Sequence, residues 1–479
     1  MKRGIEAYLT VYLSLTIGVL LTVIVMIVEV VRRDTIKMEI ETVMEVALFS
    51  IFGEYHRELL EQYDLFAIDT GYRKGNGKIE YTEEHLQYYM NQNFKKIPGL
   101  KKYDLTDLHC DNAKLTEYCF LSDEDGKVLK EAILSYMKDK IALGTLEDIK
   151  REYGILIETE QPSYDLEGEW QKAERQIWEK IKKRDEEWEK EEPPPPLENP
   201  TDYIKEIKEE GTFGLALPPD KKISTLTIDP NRYISKREIQ KGTGKIERKV
   251  NLMDIFVGKS LLCEYFFEKC GSYHEEKKDS YLKYQIEYLL HGKTKDQENL
   301  EKTVQQILLI REGINITYLL TDDAKMAEAE AAALAISTFC LLPELKDPIK
   351  MILLFAWSYA ESVQDLRILL DGNKISVLKN TENWNTPFSQ LLSFTSHLDE
   401  YKSDKQGMGY EDYLKLFLYM KNDEEILMKF MDLCEMDIQY STGNGLFHMD
   451  ECITELKARS SVSSGYGEGY SISRSWYYE

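Results

Sequence analysis

The sequence predicts an α+β protein. A single N-terminal transmembrane helix continues into a long amphipathic helix, followed by a mainly helical head with small antiparallel β elements, including a C-terminal hairpin. Three observations predict it. Residues 7–28 (AYLTVYLSLTIGVLLTVIVMIV) carry no charge. Beyond Arg32, apolar residues recur at helical steps at Ile36, Ile40, Val43, Ala47, Leu48, Ile51, Tyr55 and Leu59. Near the C-terminus, Tyr470, Ile472, Arg474, Trp476 and Tyr478 alternate with serines in a period of two, which is a strand signal.

The uncharged run spans about 33 Å at about 1.5 Å per residue, against a hydrocarbon core of about 30 Å. It exceeds a secretory h-region of roughly 7–15 residues. It ends in Val28-Glu29-Val30-Val31-Arg32-Arg33 with no small-x-small cleavage site. The run therefore reads as a retained anchor. The apolar stripe that follows has no Gly or Pro until Gly53, where a helical glycine costs about 1 kcal/mol. Tolerating that cost predicts one helix from about Ile5 to Gln62, about 87 Å long.

Tyr63–Asp69 (YDLFAID) reads as a strand closed by Thr70-Gly71, residues 71–80 as a loop, and Thr82–Asn93 as a short helix. Residues 103–121 favour β structure, with a turn expected at Asp111-Asn112. Lys127–Glu152 reads as one or two helices. Residues 165–192 are almost wholly charged or Trp, with a thin stripe of Trp170, Ile177 or Trp178, Ile181 and Trp188. They predict a solvent-bridging helix or half of a coiled coil. Pro193–Pro196 cannot continue it and favour a stiff polyproline spacer. Helices are then expected at about 251–270, 275–291, 297–311, 322–341, 347–370, 409–420 and 423–438. Leu446–Ala458 pairs with Gly469–Tyr478 as the terminal hairpin. The organisation is thus 1–63 anchor and amphipathic helix, 64–164 an α+β subdomain, 165–220 a linker, 221–445 a helical domain and 446–479 the hairpin.

The chain has 479 residues and a net charge of −24, so it repels a phosphate backbone and no nucleic-acid partner is expected. Seven cysteines are too few for a disulfide framework in a chain of this size. Cys110/Cys119 and Cys263/Cys270 are local pairing options beside buried free thiols. No HExxH, GxSxG or Walker A loop occurs. His109, Cys110 and Asp111 are adjacent in a strand and so would not converge on one metal. The glycine-rich run 465–469 reads as a hairpin turn. No cofactor and no catalytic residue are expected.

Three constellations stand out. Glu361 and Asp365 lie four apart on one helix, with Arg367 nearby, and two like charges at that spacing repel unless a cation lies between them. A structural network with a Lys or Arg is the first reading, an ion or substrate site the second. Glu29 lies just past the apolar run and can pair with Arg32 or Arg33 at the membrane interface, while Glu6 marks the opposite boundary. Thr10, Ser14, Gly18 and Thr22 form a ladder of small residues that allows helices to pack closely in lipid.

The anchored, continuous amphipathic helix leading into a β-containing head resembles the plan of type IV pilins and pseudopilins. Tyr8–Leu15 leading to Glu29–Arg32, and Ser50–Asp69 (SIFGEYHRELLEQYDLFAID), resemble a membrane-anchored family of unknown biochemical function associated with tight-adherence (Tad/Flp-type) pilus loci of Gram-positive, clostridial-type bacteria. The similarity continues at Tyr284–Gly292, Arg311–Asn315, Trp357–Asp365, Leu369–Gly372 and Gly409–Leu414. It implies a non-enzymatic, minor pseudopilin-like component of a pilus or secretion apparatus. The N-terminus would be cytoplasmic and the head extracytoplasmic, with the bilayer and other pilin-like or pilus-assembly membrane proteins as partners. Prepilins are cut after a Gly with Glu at the fifth mature position. Here Gly4 is followed directly by Ile5-Glu6, which implies an uncleaved or atypical member. The rival readings are an anchored surface adhesin and an anchored hydrolase.

Overall fold

A computed structural model describes residues 2–74, 77–95, 106–140, 149, 151–154, 165–188, 211–244, 255–405 and 407–478. In chain order, its first elements are α1 (Lys2–Phe52), α2 (Arg57–Tyr63), β1 (Ile68–Asp69), α3 (Ile79–Phe94), β2 (Leu108–Phe120), α4 (Asp123–Lys140) and α5 (Leu166–Trp188). Then come α6 (Ile255–Lys269), α7 (Gln285–His291), α8 (Asp296–Thr321), α9 (Asp323–Phe339), α10 (Lys346–Leu370), α11 (Tyr410–Met420) and α12 (Asp423–Thr442). The chain ends in β3 (Cys452–Ser464) and β4 (Gly469–Tyr477). It divides into two compact units. Residues 1–136, 232–252 and 434–479 form the first, and residues 137–231 and 253–433 the second.

In the first unit, β3 is the centre of an antiparallel sheet. One edge pairs with β2 from Phe120↔Ile453 to Leu108↔Ser464. The other pairs with β1 at Ile68↔Ile453 and then with β4 from Glu455↔Tyr477 to Ser463↔Gly469. The second half of α1 lies on this sheet. Ile36, Ile40, Met44, Ala47, Leu48 and Ile51 are buried together with Leu86 and Met90 of α3 and with Leu456, Ala458 and Val462 of β3. The first half is different: its apolar window buries nothing. One helix is thus long and apolar enough to cross a membrane at its start, and serves as a core helix at its end.

Several local expectations are corrected. The long helix does not reach Gln62. It stops at Phe52, and a turn at Gly53–Tyr55 leads to His56, whose ring nitrogen accepts the Leu59 N–H at 3.2 Å and caps α2. Tyr63–Asp69 is not a strand throughout. Tyr63 ends α2, Asp64 takes a left-handed conformation (φ 52°), and only Ile68–Asp69 pairs. Asp111-Asn112 is a bulge inside one long strand, with a register shift between Cys110 and Asn112. The extra residue lets Cys110 and Ala113 both face the core. The helix expected over 275–291 shortens to α7, and its first part is loop, with Asp279 at φ 59°. The first strand of the hairpin begins at Cys452, after a tight turn at Met449–Glu451. All seven cysteines are buried free thiols.

The second unit is helical. α5 does not bridge solvent. Its Ala173, Ile177 and Ile181 pack with Ala333 of α9 and Ile349 and Ile352 of α10. Pro193–Pro196 lie outside the described residues. α10 is the spine: every residue from Leu354 to Leu370 is buried. A helix enclosed on all sides must satisfy its polar side chains internally. Glu361 and Asp365 are therefore buried among the polar side chains that this helix must satisfy internally.

Candidate functional site

That requirement concentrates charge in the second unit. Glu361 and Asp365 are both fully buried, and Lys379 lies between them at 2.5 Å and 2.7 Å. Arg311 of α8 meets Asp365 from the other side at 3.0 Å, and Asn315, one turn on, donates to the same oxygen at 3.1 Å. The second Glu361 oxygen accepts the backbone N–H groups of Asn385 and Thr386 at 3.1 Å and 2.7 Å. All four carboxylate oxygens are thus engaged. Burial pushes the Asp365 carboxyl up, but Arg311 and Lys379 outweigh it and hold the group below its ordinary value.

The network organises a loop. Arg311 donates to the carbonyls of Ser376 and Val377 at 3.2 Å and 3.1 Å. Both Trp357 and Trp384 donate their indole N–H to the Thr386 carbonyl, at 2.7 Å and 2.6 Å. Lys325 sits over both rings, 4.5 Å and 4.6 Å from their centroids. The segment 376–386 is therefore fixed to α8 and α10 by ion pairs and by backbone hydrogen bonds. Above it opens a cleft of about 340 Å³, floored by Asp365 and Lys379 and walled by Ser376, Asn383, Lys402 and Asp404 among others. Its lining is polar and of mixed charge. That suits a hydrogen-bonding ligand better than an apolar one.

Arg367 is not the cation of the pair. It binds Asp399 at 2.7 Å instead. The bridging cations are Lys379, distant in sequence and without a local signal, and Arg311, whose i, i+4 spacing with Asn315 places both on the face that meets Asp365.

A second charged cluster, in the first unit, carries no motif. The ligand atoms of Glu435, His448 and Asp450 lie within 4.8 Å of one another, as a metal would require. The Arg237 guanidinium occupies the middle. It binds Asp450 twice, at 2.6 Å and 2.8 Å, and Glu435 at 2.7 Å, and lies 3.2 Å from His448 Nδ1. These groups therefore accept from the guanidinium in an arginine clamp. Glu435 pushes the His448 imidazole up, against the effect of burial.

On α1, Glu29 pairs with Arg32 at 2.9 Å and with Arg33 at 3.0 Å. Glu6 lies on the same helix, but its side chain is outside the described residues. Thr10, Ser14, Gly18 and Thr22 are exposed along its apolar half. The Thr22 hydroxyl donates to the Val19 carbonyl at 2.7 Å, and a Cβ at Gly18 would meet no atom within 4 Å.

No curated protein and no solved structure matches the chain. The loop-fixing network, the polar cleft and the arginine clamp all fall within residues 189–464, the segment that matches a described family of unknown function, DUF5702. That match covers more than half of the chain, which therefore belongs to this family.

Proposed function

We propose that this protein is a non-enzymatic, minor pseudopilin-like component of a tight-adherence-type pilus or secretion apparatus. It would sit in the cell membrane as a single-pass protein, with its N-terminus cytoplasmic and its head outside. The observation that carries the reading is α1, whose first half is apolar and unburied and whose second half is the core helix of an antiparallel sheet. The motif resemblance supplies the apparatus. A helix of this kind couples a head to neighbouring helices within the bilayer, and Thr10, Ser14, Gly18 and Thr22 offer the close-approach face.

A catalytic reading fares worse. A general acid or base needs a carboxylate that can exchange a proton with substrate. The oxygens of Glu361 and Asp365 are held by Lys379, Arg311, Asn315 and backbone N–H groups. The polar cleft favours a second reading, an anchored surface binding module.

Gly18→Leu tests the first reading. Association with pilin-like membrane proteins falls, while the variant stays membrane-bound after alkaline washing. Unchanged co-purification contradicts the ladder. A head that resists protease added to intact cells contradicts the orientation. Fractionation separates the two readings, because a binding module functions without co-assembled pilins.

A further inference from the structure

The β3–β4 hairpin runs along the core half of α1, from Phe52 back to Arg32. At its base, Tyr478 donates to the Phe52 carbonyl at 2.7 Å, and Trp476 meets the rings of Phe49 and Phe52. Midway, Arg474 pairs with Glu41 at 3.4 Å. At its tip, Glu468 pairs with Arg32 at 2.9 Å and with Arg33 at 3.1 Å. The lengths agree. The nine residues of β4 extend about 30 Å, and the helix from Arg32 to Phe52 extends about the same. The tip therefore returns to the point where the apolar run ends, four residues after Val28.

The tip is built and braced. Gly467 takes a positive φ of 87°, which the turn requires. Gly465 donates to the Asp107 carbonyl at 2.8 Å, and a Cβ there would collide with the Asp107 carboxylate. Tyr466 points outward, 55% exposed, with Arg32 stacked 4.8 Å from its ring centroid. Glu29 and Glu468 balance Arg32 and Arg33, so the group carries no net charge and its salt links are internal.

We infer that the hairpin tip is a second membrane contact, with Tyr466 seated in the headgroup layer beside the anchor. This rests on the reading that α1 spans the bilayer. Tyrosine suits that layer, with an apolar ring and a polar hydroxyl, and tyrosines concentrate at such interfaces. The neutral quartet adds no net charge at the boundary. Unpaired arginines there would instead draw the protein to anionic lipid. Because the tip is joined to α1 by two ion pairs, the sheet of the first unit is held at a fixed height on the anchor.

Nitroxide labels in full-length protein reconstituted into phosphatidylcholine vesicles test this. The native cysteines are all buried, so Tyr466→Cys, Val46→Cys and Leu20→Cys each present one accessible thiol. The expected result is a ratio of oxygen to water-soluble nickel accessibility at position 466 between those at 20 and 46, and several-fold above the latter. Equal ratios at 466 and 46, with 20 in lipid, overturn the tip contact alone. Aqueous ratios at all three positions overturn the anchor as well. Glu468→Gln leaves the quartet with one positive charge, and the accessibility ratio at position 466 should then rise when phosphatidylserine is included in the vesicles. A ratio that stays insensitive to phosphatidylserine contradicts the neutral clasp.

Discussion

At the scale of single residues, the decisive feature is how buried charge is compensated. Lys379→Met leaves two carboxylates buried with one cation fewer, a class of change that costs about 3–5 kcal/mol. The melting temperature of the second unit should fall by several degrees. Asp399→Asn breaks the Arg367 pair, but Asp399 is 75% exposed, so the loss there should stay under about 1 kcal/mol. Equal losses would mean that the buried network has no special role. Glu287 gives a pH dependence. It is fully buried, accepts from Tyr273 N and Tyr410 Oη at 3.0 Å and 2.8 Å, and burial pushes its carboxyl up to about 7. The folded state therefore holds a proton that the unfolded chain has released. Stability falls as pH rises from the ordinary glutamate value through about 7, by about 1.4 kcal/mol per unit at the steepest. Glu287→Gln should flatten that dependence in pH-resolved thermal melts, and an unchanged slope would assign it to other groups. From sequence, the carboxylate pair and its need for a cation were legible, because like charges four apart demand one. The identity of the cation was not, since Lys379 meets Glu361 only through a loop whose path depends on the tertiary fold.

At the scale of elements, amphipathic periodicity served α1 well. Ile36, Ile40, Val43, Ala47, Leu48 and Ile51 are all buried, and Tyr55, just past the break, is the exposed member of the stripe. Leu48→Ala should destabilise the first unit by about 2–5 kcal/mol, as cavities in cores do, and the denaturation midpoint reads it directly. Met38→Ala, on the exposed face of the same helix, should change it little. The period-two alternation of β4 was equally readable, because Tyr470, Ile472, Trp476 and Tyr478 all pack toward the core shared with α1. The failures have one cause. Short apolar runs such as Tyr63–Asp69 suit either a helix end or an extended chain, and pairing by distant β3 decides which residues become strand. The bulge at Cys110–Asn112 looks like a turn in the sequence for a related reason: Asp-Asn carries turn chemistry in either setting.

At the scale of the whole molecule, contact distance along the chain limits what a sequence discloses. The first unit gathers residues 1–136, 232–252 and 434–479, and β3 pairs with β1 and β2 across more than three hundred residues. No local pattern encodes such partnerships. The arginine clamp shows this most plainly, since Arg237, Glu435, His448 and Asp450 converge from two of those segments. What was legible at this scale is the contrast within α1, where one stretch is apolar on every side and the next on one face only. The proposed function rests on that contrast, with the first stretch proposed to lie in lipid among other pilin-like helices. A photoreactive amino acid in place of Ser14, activated in living cells, tests it most directly. The account predicts covalent products with pilin-like or pilus-assembly membrane proteins, reduced by Gly18→Leu. Adducts to lipid alone, or none in the membrane fraction, would contradict it.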